Sequence, residues 1–108
     1  MSAFPEVMEV PVLSTTHITR ADSDLIGNLV HEDPDKLPFV VVPWLDYGWV
    51  FHIPEDDFEE TLREWSALGV SDSFIKVLQL AQGQGFAFVR LDSAGPKCLI
   101  EGLDLHEW

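Results

Sequence analysis

The chain has 108 residues, 46% of them hydrophobic, with four Trp and seven Phe, enough apolar content to bury one core without metal or disulfide staples and to set intrinsic disorder aside. Nineteen Asp and Glu stand against six Lys and Arg, for a formal charge of -13 and a pI near 4.3. Such a surface repels phosphate, which argues against direct binding of nucleic acid or an anionic membrane, more so because Arg20, Lys36, Arg63, Lys76, Arg90 and Lys97 are scattered.

The opening, MSAFPEVMEVPVL, lacks the basic start and apolar run of a secretory signal. No later stretch reaches the roughly eighteen uninterrupted apolar residues of a membrane span. The expectation is a cytoplasmic protein with one domain over residues 1–108. VMEVPVL reads as a first strand, with Pro11 marking an edge or a strand end. Thr19 and Asp22 then have the spacing of a capping box, and Ala21, Leu25 and Leu29, flanked by Ile26 and Val30, form a helical stripe that must stop before Pro34.

PFVVVPW and GWVFHI are β-rich segments separated by LDYG, a hairpin pattern. Pro54 and the acidic run from Glu55 open a second helix, in which Phe58, Leu62, Trp65 and Leu68 share one face and Gly69 ends the run. Ser71 and Asp72 start a third helix with Phe74, Val77, Leu78 and Ala81 on its buried side, and Gly83 to Gly85 stop it. FAFVRL, DSAGPK and CLIEGL then read as strand, turn and strand. The order β-α-β-β-α-α-β-β predicts an α+β fold, a mostly antiparallel sheet of about five strands with about three helices on one face.

Tests for chemistry come out against a dedicated site. The pairs DSD and DPD lack the glycine and closing glutamate of a calcium loop, and His17, His31, His52 and His106 have no zinc-ligand spacing, so no metal and no cofactor are expected. The lone Cys98, in an apolar stretch, reads as a small core residue. His17 lies among hydroxyls in STTHIT, and Thr15 would share a strand face with it, but no orienting acid or oxyanion loop accompanies them. Local capping by Ser14, Thr15, Thr16 and Thr19 is the simpler reading. Trp49, Phe51 and Trp65 sit at core positions, whereas Trp44 and Trp108 are open to anchoring either a partner or their own domain.

The acidic run is the most distinctive feature. Glu55, Asp56 and Asp57 fall where a helix dipole favours negative charge. Glu60 and Glu64 have no such reason, since like charges four apart repel by a few tenths of a kcal/mol. Asp56, Asp57, Glu59, Glu60 and Glu64, less Arg63, place about four net charges over roughly 12 Å of helix. A nucleic-acid strand carries roughly three to four over the same length. Asp22, Asp24, Glu32, Asp33 and Asp35 could extend the field.

Two phrases, PVLSTTHIT at Pro11 to Thr19 and FVRLDSAGPKCLIEGLDLHEW at Phe88 to Trp108, resemble a family of small uncharacterised domains carried by plasmids, phages and integrated elements. Those domains open on Leu-Ser-Thr-x-His-Ile-Thr and close on Gly-Leu-Pro-x-x-x-Trp; Asp104 stands here at the proline position. The resemblance implies no catalytic residues. Its mobile-element setting implies defence evasion of an anti-CRISPR or anti-restriction kind.

Together these residues and the resemblance favour a non-enzymatic acidic protein, a DNA mimic by charge, that inhibits a basic, nucleic-acid-binding defence complex. Its contact residues would be Asp56, Asp57, Glu59, Glu60, Glu64, Asp33, Asp35 and Trp44. A regulatory or scaffold module of a mobile element, charged only for solubility, is the alternative. A hydrolase built on His17 and Thr15 is the third class considered.

Overall fold

The computed structural model describes residues 10–38, 41–44, 48–95 and 103–106. Four strands, β1 (Val12–Ser14), β2 (Val41–Trp44), β3 (Gly48–His52) and β4 (Phe88–Asp92), form one sheet in the order β1-β4-β3-β2. The β2–β3 hairpin and the β3–β4 pair are antiparallel, and β1 joins β4 in parallel. Three helices follow the expected positions: α1 (Arg20–Glu32), α2 (Phe58–Leu68) and α3 (Asp72–Gly83). The α+β class is therefore as the pattern predicts. Of the expected closing strand, residues 98–102 and with them Cys98 lie outside the described residues, as do the hairpin turn at 45–47 and Trp108.

Register places the core. Leu13, Leu91, Trp49 and Pro43 line up across the sheet, as do Val89, Phe51 and Val41 in the next inward row. Trp49 reaches α1, where its Nε1 donates to Ser23 Oγ at 3.3 Å. Phe51 packs edge-on against Trp65 of α2 and Phe74 of α3, at centroid distances of 6.3 and 5.2 Å. All three helices thus cover the same face. Close approach explains Gly48, because a Cβ there would come within 1.7 Å of the Leu91 carbonyl oxygen.

The α2 and α3 stripes bury as their spacing predicts, with Leu62, Trp65, Phe74, Val77, Leu78 and Ala81 all inside. The α1 stripe is rotated from its prediction. Ala21 is exposed, and the inward positions are Asp22, Ile26 and Leu29. A carboxylate displaces the alanine from the interior because its oxygens have partners there. The capping box forms as expected, with Thr19 Oγ1 accepting from Asp22 N and Thr19 N donating to Asp22 Oδ2, each at 3.0 Å. Asp22 also takes Ser71 N at 2.7 Å and Ser71 Oγ at 2.5 Å, so one carboxylate links the first turn of α1 to the cap of α3.

Candidate functional site

Helix α2 begins later than the acidic run suggests. Asp57 is its N-cap and sits in the left-handed region, at φ 56° and ψ 30°, so the helix cannot extend back through it. Glu55 and Asp56 consequently precede the helix instead of occupying its first turn, which belongs to Glu59 and Glu60. Even so, Glu55, Asp56, Asp57, Glu59, Glu60 and Glu64 are all exposed. Thr61, Leu62 and Trp65 bury the opposite side. The Asp57 side chain makes no capping bond. Among the described residues the ion pairs are Lys36–Asp33, Lys76–Asp104 and Arg90–Asp92, so none of the α2 carboxylates is neutralised, even by Arg63 on the same helix.

Asp33 and Asp35 are exposed too, at the far end of α1. Asp33 is the C-cap and pairs loosely with Lys36 at 3.8 Å, and Asp35 lies in the short turn Pro34–Lys36. Negative charge beside a helix C-terminus opposes the macrodipole, so these carboxylates do not owe their place to helix stability. Of Trp44, the backbone closes β2 opposite Gly48; its side chain lies outside the described residues.

A second polar centre lies where residues 14–17 meet residues 104–106. Ser14 is buried at the end of β1, and Thr15–His17 form a 3₁₀ turn instead of continuing the strand. That turn removes the shared strand face assumed for Thr15 and His17. Ser14 Oγ accepts from Thr16 N, the local capping role expected of these hydroxyls. The His17 ring is 0% exposed. Its Nδ1 donates to the Asp104 carbonyl oxygen at 2.8 Å, since a carbonyl can only accept. His106 N in turn donates to Thr16 O at 2.8 Å.

Beyond them, Ser73 Oγ donates to Asp104 Oδ2 at 2.6 Å and lies 2.8 Å from His106 Nε2. Lys76 Nζ lies 3.3 Å from the same carboxylate oxygen. Bonds from Ser73 and then from Lys76 hold the Asp104 carboxyl below its usual range. Serine, histidine and aspartate converge here, but not as a nucleophilic triad. The acid contacts the hydroxyl, whereas a triad places it on the histidine. Ser73, Asp104 and His106 escaped the sequence reading because 31 positions separate Ser73 from Asp104. The available signal was Ser73 and Lys76, three apart on one helix face.

A small α+β domain with an acidic helix free of ion pairs among the described residues, and with residues 14–17 tied to residues 104–106, is what the fold and these sites define. The chain belongs to the family of unknown function DUF5983, matching that family's C-terminal domain over residues 10–108. No curated protein and no solved structure matches it. Among the described residues no helix is long and apolar enough to cross a membrane, and no group of three or more His, Cys, Asp or Glu could hold a metal ion.

Proposed function

We propose that this protein docks, without catalysis, onto a basic surface of a nucleic-acid-binding protein or complex and blocks it. The carrying observation is the run of exposed carboxylates at Glu55, Asp56, Asp57, Glu59, Glu60 and Glu64, none in an ion pair among the described residues. Unneutralised like charges repel one another, and a cationic partner relieves that repulsion while steering encounter. Glu59, Glu60 and Glu64 carry charge at helical spacing, with Asp56 and Asp57 extending the field ahead of the helix. Asp33 and Asp35 are a second acidic group for the same partner. A host-defence complex, of the CRISPR or restriction kind, is the partner class that the mobile-element resemblance favours.

The test is affinity capture with the intact chain from cells carrying such complexes, compared with Asp56→Lys, Glu59→Lys, Glu60→Lys and Glu64→Lys combined. The expected result is a cationic complex retained at low salt, lost steeply as ionic strength rises, and absent with the variant. A folded quadruple variant that keeps the same partner overturns the proposal. Capture indifferent to salt would favour an apolar interface and the scaffold reading instead.

A further inference from the structure

The Asp104 contacts have an asymmetry. Ser73 and Lys76 both belong to α3, so the helix fixes the hydroxyl and the ammonium one turn apart whatever occupies the space between them. Ser73 is 5% exposed, and its own rotamer is enclosed. The carboxylate comes from residues 103–106, which form neither helix nor strand. Ser73 has a single proton and gives it to Asp104 Oδ2, so the proton between Ser73 Oγ and His106 must come from Nε2. Ser73 and Lys76 therefore both donate to one oxyanion, and His106 backs the hydroxyl.

We propose that Ser73 and Lys76 form a receptor for an oxyanion, a carboxylate or a phosphate group, which this chain fills with its own Asp104. Residues 103–106 act as an internal ligand. The side chains of Lys76 and Asp104 are 44% and 41% exposed, so an external oxyanion reaches the receptor without opening the core. The lowered proton affinity of Asp104 agrees with a receptor that selects the charged form. Release of Asp104 would loosen the segment also held by the His17 and Thr16 contacts.

The experiment uses the full chain carrying Asp104→Ala, titrated with acetate or with inorganic phosphate against chloride at matched ionic strength. The readout is the unfolding temperature. The variant is expected to gain several degrees, saturating with the oxyanion but not with chloride, while the parent chain does not respond. Adding Ser73→Ala or Lys76→Ala to Asp104→Ala should abolish the gain. Saturation with acetate alone identifies a carboxylate receptor; saturation with phosphate as well identifies a general oxyanion receptor. A response no larger than chloride's, or one that survives loss of either Ser73 or Lys76, overturns the proposal. Asp104→Ser, whose shorter side chain also leaves the receptor open, serves the same comparison if the alanine variant does not fold.

Discussion

Replacing Asp22 by alanine should be among the most damaging single changes to this fold. The residue is 2% exposed and accepts from Thr19 N, Ser71 N and Ser71 Oγ at 3.0, 2.7 and 2.5 Å. Half a capping box is lost, worth about 1 kcal/mol. Two bonds from Ser71 to a charged acceptor go with it, at roughly 1.5–3 kcal/mol each. Water that enters the vacated space recovers part of this, and neighbouring losses do not add, so about 3 kcal/mol is the net expectation. For a domain of this size that lowers the unfolding temperature by roughly 12–20 °C. Chemical denaturation and calorimetry measure it. A double-mutant cycle with Ser71→Ala sharpens the test, because the Ser71 hydroxyl has no Asp22 to serve once Asp22 is gone. The double variant should therefore cost at least about 1 kcal/mol less than the sum of the single ones. A loss under about 1 kcal/mol for Asp22→Ala, or strict additivity, would show that α1 and α3 are not joined through this carboxylate.

Gly27→Ala should stabilise the chain by about 0.5–1 kcal/mol, because the added Cβ meets the Trp49 ring at an ordinary 3.7 Å in the interior of α1; a rise in the denaturation midpoint with an unchanged slope checks it. Asp104 gives a pH dependence. Its carboxyl is held below the ordinary value of 3.8, so its contribution is fully present above that pH and is lost as pH falls through the folded-state value. The difference in unfolding temperature between the parent chain and Asp104→Asn should be constant near neutrality and close in acid. A difference that does not narrow as pH falls below 3.8 contradicts the assignment.

Local rules made much of this fold legible. Thr19 and Asp22 announced a capping box, and the four, three and three spacing from Phe58 to Leu68 announced the buried side of α2, because helix caps and stripes act within a few residues. Burial of Asp22 at an α1 position next to the predicted Ala21 was not legible, since its second set of donors lies 49 positions away at Ser71. The parallel β1–β4 pair was hidden for the same reason: strand pattern predicts a strand and not its neighbour. At the acidic run, residue type predicted exposure, but the left-handed Asp57 moved the helix start, a backbone choice that aspartate tolerates without announcing it.

Joining β1 to β4, and His17 to a residue 87 positions away, also orders events during synthesis. The hairpin and the helices can form as they leave the ribosome, but β1 has to wait until Phe88–Asp92 have emerged before its partner exists. During that interval the Ser-Thr-Thr stretch and its histidine remain unprotected. Premature termination anywhere before β4 would therefore strand β1 as well as removing its partner, leaving a fragment for the cell's proteases.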